Sequence, residues 1–281
     1  MIPQRDLSLL SNRLARRGGR RIPEAILEKD YCLSWFLVGL SATPLKDILA
    51  FKGGTAIKKC YIPDYRFSED LDFTLRKETA FEKIRGHLDE ASSRTEEASG
   101  IKIRFSRYDR HSHENSHTFY LAYEGPLPGA TGKEVKVDIT IRERIVFPVE
   151  TLPVLKAYAE YRDLPTDAVI GVYSLNEIAA EKIVALFDPA RNEPRDLYDL
   201  WHLTGNGLVG LADLAHAVAL KAEFRNRTMT DAKDIFLRKE ARLKKLWTVR
   251  LSAQMAELPE FDEVYRAVTR ELRQVSLLNQ T

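Results

Sequence analysis

Two aspartates stand two residues apart in the segment Ser68-Glu69-Asp70-Leu71-Asp72-Phe73-Thr74-Leu75. A strand has a period of two, so Ser68, Asp70, Asp72 and Thr74 share one face and Leu71, Phe73 and Leu75 the other. The apolar face can pack on a core. The other presents two carboxylates roughly 7 Å apart along the strand. Carboxylates held so close repel each other and stay ionised only with a cation nearby. Mg²⁺ or Mn²⁺ suits them, because hard cations take oxygen ligands and share them with substrate phosphates.

The matching half lies upstream. Gly53-Gly54-Thr55 opens the run Ala56 to Tyr61. Glycine permits a tight turn and close backbone approach to a ligand. The run can start a helix whose free N–H groups face an anion, and Lys58 and Lys59 add positive charge. A glycine pair alone is usually a turn, and D-x-D alone is usually a solvated edge. In combination they lay out a site for nucleotide binding and phosphoryl transfer. Gly53, Gly54, Thr55 and Lys58 are then candidate triphosphate ligands. Arg66 could hold a phosphate or pair with Asp64 or Glu69. Ser68 could hydrogen-bond a phosphate oxygen or orient Asp70.

The residues FKGGTAIKKCY and RFSEDLDF resemble the core motif of the AbiEii/MenT family of nucleotidyltransferase toxins, within the DNA polymerase β-like superfamily. The resemblance runs from about Glu28 to His202 and includes the segment Glu28-Lys29-Asp30-Tyr31. It implies a toxin of a bacterial type IV toxin–antitoxin or phage-defence pair. It implies an NTP substrate, Mg²⁺ (or Mn²⁺), an RNA acceptor at the 3′ end of tRNA, and a cognate antitoxin that is a separate DNA-binding regulator.

The segment Glu134 to Ile141 alternates cleanly, with Val135, Val137, Ile139 and Ile141 on one face and Lys136, Asp138 and Thr140 on the other. Two-metal chemistry needs a third carboxylate, and the resemblance implies that role for Asp138 beside Asp70 and Asp72. Further on, Ser174 and Glu177 have capping-box spacing. The helix they open carries Lys182 within an apolar stripe of Leu175, Ile178, Ala179, Ala185 and Leu186. A lysine there needs a partner or snorkels out. Its central place, and the family's lysine in the same Ala-Glu-Lys context, make it a candidate for triphosphate oxygens. The run Arg195-Asp196-Leu197-Tyr198-Asp199-Leu200 resembles the family's R-D-x-x-D-L motif. Asp196 could instead cap its helix. Asp196 and Asp199 are both candidates to order Lys182 or act as a base.

The elements that must position these residues follow from pattern. Pro23 suits the first turn of an apolar helix over 22–40. A short strand over 48–52 precedes the glycine pair. A charged amphipathic helix spans 77–99, and strands span 101–108 and 118–123. Between these strands lie His111, His113 and His117, whose spacing admits a metal site, a nucleic-acid loop or an inert hairpin tip. Pro148, Pro153 and Pro165 mark 142–170 as irregular, and the rest is helical. The expected fold is α/β (α+β). A small mixed sheet with flanking helices occupies 1–160, and a mainly helical lobe at 161–281 completes the site.

At 281 residues, 44% hydrophobic and 30% charged, the chain is ordinary globular material with net charge +2. No apolar run is long enough to span a membrane, and the first residues lack a signal core. With Cys32 and Cys60 expected to be unbridged, a cytoplasmic setting fits. Basic residues concentrate locally, with six arginines against Asp6 over 1–21 and ten basic residues against four acids over 221–250. Both suit nucleic acid or a solvated face. Two other classes use the same features. One is a small-molecule nucleotidyltransferase. The other is a catalytically silent RNA-binding protein.

Overall fold

Alternation makes strands where it was expected, and the partners of those strands set the architecture. The computed structural model describes residues 1–16, 19–109, 115–129, 132–227, 229 and 231–274. The chain forms two units. The first comprises Met1–Arg142, Val149–Val172 and Gln254–Ala256. The second comprises Glu143–Pro148, Tyr173–Ala253 and Glu257–Thr281.

The first unit opens with helices α1 (Gln4–Ala15), α2 (Glu24–Ser41) and α3 (Leu45–Ile48), then strand β1 (Leu49–Lys52). The short helix α4 (Gly53–Ala56) runs into a π-helical turn at Ile57–Tyr61. There follow β2 (Leu71–Leu75), α5 (Phe81–Ser99), β3 (Lys102–Tyr108), β4 (Ser116–Glu124), β5 (Glu134–Thr140), β6 (Val149–Pro153) and β7 (Val169–Tyr173). Among the described residues seven strands form one mixed sheet, in the order β3-β4-β5-β2-β1-β7-β6. Strand β2 lies between β1, antiparallel, and β5, parallel.

Strands β6 and β7 occupy part of the stretch expected to be irregular. Strand β7, Val-Ile-Gly-Val-Tyr, is buried beyond its first residue. A parallel strand covered on both faces reads as a short apolar run without alternation, so periodicity misses it. Helix α5 starts four residues later than its charge pattern suggested. It ends where Gly100 takes φ +76° and its N–H bonds Glu96 O at 2.8 Å. Gly39 lets α2 lie close on α5, since a Cβ there would collide with Ala91 O.

The π-helical turn carries two adjacent buried lysines. Lys59 Nζ lies 2.7 Å from Asp30 Oδ1 and donates to Asp30 O and Ser34 Oγ, both at 2.8 Å. Lys58 Nζ donates to Pro63 O (3.0 Å), Tyr65 O (3.0 Å) and Tyr158 OH (2.9 Å). Burial pushes the Lys58 ammonium down to about 8, against the pull of Asp30. Burial also lowers Lys59, with Asp30 opposing. The basic N-terminal arm is partly structural too. Leu7 and Leu10 are fully buried, and Arg13 holds Glu160 through bonds of 2.8 and 2.7 Å. Cys32 and Cys60 are both free and buried.

The second unit is helical: α6 (Leu175–Leu186), α7 (Pro194–Gly205), α8 (Ala215–Phe224), α9 (Ala232–Leu251) and α10 (Phe261–Gln274). Ser174 caps α6 by accepting from Glu177 N at 3.2 Å. The other half of the capping box is absent. The Glu177 carboxylate instead accepts from Val146 N (3.0 Å) and Phe147 N (2.8 Å) and pairs with Lys221 at 2.5 Å. The unit's aromatic core stacks Phe236 on Tyr265, ring centroids 5.0 Å apart. Among the described residues no helix is long and apolar enough to cross a membrane.

Removing Asp30 leaves the Lys59 charge buried without its counter-ion. Asp30→Ala is expected to lower stability by roughly 3–5 kcal/mol in denaturant melts. Adding Lys59→Met should recover most of that loss. A single variant as stable as the wild type would contradict the pairing.

Candidate active site

Ladder pairing brings the carboxylates of two distant segments together. Lys52 on β1 is the register partner of Asp72 on β2, Asp72 of Asp138 on β5, and Asp138 of Thr118 on β4. Paired residues point to the same side of a sheet. Lys52, Asp72, Asp138 and Thr118 therefore form one row across four strands. Asp70 and Lys136 share the same side through the period of two. The opposite sides of β2 and β5 are buried at Leu71, Phe73, Val135, Val137 and Ile139.

Each element fixes one part of this row. The Thr118 hydroxyl donates to Asp138 Oδ1, and the Lys136 ammonium donates to Asp138 Oδ2. Lys52 Nζ donates to Thr140 Oγ1 at 3.2 Å. Gly53, one residue past β1, has φ +79°. A Cβ there would meet Asp72 Oδ2 at 2.9 Å, so glycine is required both by conformation and by the carboxylate beside it. Gly54 is glycine for a different neighbour. A Cβ on it would lie 2.5 Å from an Arg66 guanidinium nitrogen. Thr55 Oγ1 donates to Asp70 O at 2.6 Å, tying α4 to the start of β2.

Two of the expected nucleotide ligands have other tasks. All three Lys58 donors are taken by Pro63, Tyr65 and Tyr158, which leaves none for a phosphate. Arg66 is buried beneath Gly54 and donates to Gln254 Oε1 at 3.0 Å and Phe67 O at 3.3 Å. Ser68 is largely buried on the approach to β2. His111 and His113 lie outside the described residues. His117 sits on β4 against Phe81, at 5.1 Å between ring centroids, and burial lowers its pKa.

Lys136 is the cation bonded to Asp138. Burial disfavours its charge, but Asp138, with Asp70 and Asp72 behind it, holds its pKa above the ordinary lysine value. Among the described residues no three His, Cys, Asp or Glu side chains already converge on an ion position. Asp138 is turned onto Thr118 and Lys136 instead. The donor set itself is nonetheless that of a hard divalent cation, with three carboxylates on adjacent strands and a hydroxyl beside them. The residues fit Mg²⁺ or Mn²⁺ once Asp138 releases Lys136.

A family model described as the nucleotidyl transferase AbiEii toxin of type IV toxin–antitoxin systems matches residues 35–267. The chain belongs to the AbiEii nucleotidyltransferase toxin family. No curated protein sequence matches it. Among solved structures it is similar to MenT4, a nucleotidyltransferase toxin of Mycobacterium tuberculosis, at 17% identity and TM-score 0.58. That match covers 97% of this chain and 89% of MenT4, and it shows a shared fold.

The second unit of this AbiEii-family chain holds the other candidate cluster. Helix α6 presents Lys182, whose Nζ lies 2.6 Å from Asp196 Oδ1 and 2.8 Å from Asp199 Oδ2 on α7. Arg191 Nε donates to Asp196 Oδ2 at 2.6 Å. Lys182 thus meets both acids, which stand one turn apart, and the pair does not reduce to one functional partner. Asp196 is no helix cap, since α7 begins after Glu193. Burial works to raise the Asp196 carboxyl, but Lys182 and Arg191 outweigh it and hold it near 2.

The basic count of 221–250 thins in three dimensions. Lys221 is fully buried among Glu177, Glu143 and Glu181. Arg225 and Arg227 pair with Glu143 and Asp188. Lys239 donates to Leu186 O at 2.7 Å and Asp188 O at 3.0 Å, satisfying carbonyls at the end of α6. Lys233, Arg238, Arg242, Lys244, Lys245 and Arg250 remain on the exposed side of α9.

The site's other members escaped sequence reasoning. Lys52 and Thr118 belong to the row only through pairing, Thr140 joins the site only through its bond from Lys52, and Arg191 belongs to the Lys182 cluster only through the fold of its loop. Alternation could place each on a face, but no local signal says which strand lies beside which.

Because the folded Asp196 carboxyl lies below its unfolded value of 3.8, its stability is present above that pH. That contribution is lost as pH falls towards about 2. The wild type should lose about 2 kcal/mol across this window through Asp196. Asp196→Asn should be weaker at neutral pH and show a shallower acid limb in pH-dependent melts. An unchanged acid limb would contradict the assignment.

Proposed function

We propose that this AbiEii-family chain transfers a nucleoside monophosphate from an NTP to the 3′ hydroxyl of an RNA, with tRNA as the acceptor. The observation that carries the reading is the register Asp72 to Asp138, with Asp70 on the same side and Gly53 against Asp72. The pairing of Asp72 with Asp138, with Asp70 two residues before Asp72, builds a three-carboxylate patch beside a glycine turn.

In this reading Asp70, Asp72 and Asp138 hold the divalent cation. When bound, it neutralises phosphate charge and lowers the pKa of the attacking hydroxyl. The backbone of Gly53, Gly54 and Thr55 lies along the triphosphate, while the Thr55 side chain keeps Asp70 in place. Ser68 contributes a hydroxyl to a phosphate or to Asp70. The acceptor oxygen forms a bond to the α-phosphorus in line with the bridging oxygen, which leaves with pyrophosphate. In the second unit we assign Lys182, ordered by Asp196 and Asp199, to negative charge on the nucleotide.

The exposed basic residues of α9 support an RNA acceptor, since phosphate neutralisation supplies most non-specific affinity. The internal placement of Lys221, Arg225 and Lys239 favours a second reading, transfer to a small hydroxylated molecule. As a member of a type IV toxin–antitoxin family, the chain is proposed to act in the cytoplasm. Its partner there would be a separately encoded, DNA-binding antitoxin.

Asp70→Ala decides the matter. Its side chain is half-exposed, and only its carbonyl is held by Thr55, so the variant should fold and melt as the wild type does. Purified protein incubated with total tRNA, Mg²⁺ and each α-labelled NTP should label tRNA. The variant should lose that label by on the order of 10³-fold or more. A fully active variant would refute the mechanism. Label that appears on small hydroxylated acceptors and not on tRNA would select the second reading.

A further inference from the structure

Asp72 and Asp138 are opposite one another in a parallel ladder, and like charges directly opposite destabilise a sheet. Asp70 adds a third negative charge on the same side. Something in the fold must offset this, and Lys136 is placed to do so. It lies two residues before Asp138, so the strand period sets both side chains on one side. The ladder pairs Leu71 with Val137, which sets Lys136 level with Asp70. Its ammonium donates to Asp138 Oδ2, and the Thr118 hydroxyl takes the other carboxylate oxygen.

The pair is neither sealed nor fully solvated. The Lys136 side chain is 37% exposed and that of Asp138 is 26% exposed. An ammonium at such a site can swing into water at modest cost, because half-exposed ion pairs are weak. By contrast Lys58 and Lys59 are fully buried and have no such exit. Thr118 would keep Asp138 aimed while Oδ2 is released.

We propose that Lys136 is the built-in counter-cation of the Asp70–Asp72–Asp138 patch and competes with the divalent cation for Asp138. The inference rests on reading that patch as a cation site. An ammonium and a divalent cation cannot both hold Oδ2, because the two positive charges would repel at contact distance. Lys136 therefore keeps the patch folded and neutralised, and it weakens cation binding until a ligand bringing its own negative charge, a nucleoside triphosphate, arrives with the cation.

The test uses Mn²⁺ alone, titrated into the full-length protein without nucleotide, with free Mn²⁺ read by electron paramagnetic resonance. Lys136→Met should bind Mn²⁺ about five- to tenfold more tightly than the wild type, the worth of a half-exposed pair. Its melting temperature without Mn²⁺ should fall below the wild-type value, and saturating Mn²⁺ should raise it by more. Lys136→Gln provides a second neutral variant should Lys136→Met fold poorly, and Lys136→Arg should return the affinity towards wild type. Adding Asp138→Ala should abolish the gain. Wild-type binding that Lys136→Met leaves equal or weakens overturns the inference while leaving the cation site standing. Absence of Mn²⁺ binding from both proteins overturns the inference and the cation site together.

Discussion

The register of β2 between two neighbours is the constraint on which the site depends. One partner is antiparallel and the other parallel, the first set residue by residue from Asp72 to Leu75 and the second from Leu71 to Thr74. Side chains alternate with a period of two, so a slip of one residue would drive Asp70 and Asp72 into the core and push Leu71 and Phe73 into water. Burial resists that slip, since each fully buried large apolar side chain contributes roughly 1.5–3 kcal/mol. Specific contacts add to it. Phe73 lies on Phe51 with ring centroids 5.1 Å apart, and Thr55 is bonded to Asp70 O. Gly53 admits Asp72 only in this register. The chemistry-bearing side of the strand is thus placed by the packing of its other side.

A second theme is the use of lysine as an internal connector. Lys58 gathers two carbonyls of the 61–67 loop, and Lys59 joins the π-helical turn to α2. Lys221 gathers three glutamates, and Lys239 closes the end of α6. An ammonium has three donors and reaches far from its backbone, so one side chain can satisfy several acceptors in places where no secondary structure does so. Burying it is costly unless those acceptors are all present. A count of basic residues along the chain therefore overstates the positive surface, most of all between 221 and 239.

Legibility in the sequence followed the range of the interaction. The alternation of 68–75 and 134–141, the apolar helix after Pro23 and the Ser174 cap depend on neighbours within a few residues, and all were readable. So was the pairing of a glycine turn with D-x-D, because both ends of that contact lie in one short segment. Strand β7 was not, because a strand buried on both faces has no period to detect. Lys58 looked like a phosphate ligand because its acceptors come from the loop after it and from Tyr158, a hundred positions away. Thr118 and Lys52 carried no local mark at all. Their place in the row arises when β4, β5, β2 and β1 align, which is a property of the sheet.

The acid patch also carries a tension that no other part of the sheet shares. Other rows pair apolar with apolar, as at Phe51 with Phe73 and Val137 with Leu71 and Phe119, or opposite charges, as at Lys102 with Glu124. At one row the same geometry sets two carboxylates opposite each other, which lowers stability whenever the cation between them is lost. A sheet optimised for stability alone would carry threonine at one of those positions, as it does one row on at Thr74 and Thr140. Retaining aspartate at both makes sense where a cation and a phosphate must be gripped, the usual exchange of stability for activity. It also accounts for the two lysines beside the patch, one at the end of the row and one two residues before Asp138. Lys52 and Lys136 lower the cost of the carboxylates without occupying the core, and neither is so buried that it must stay.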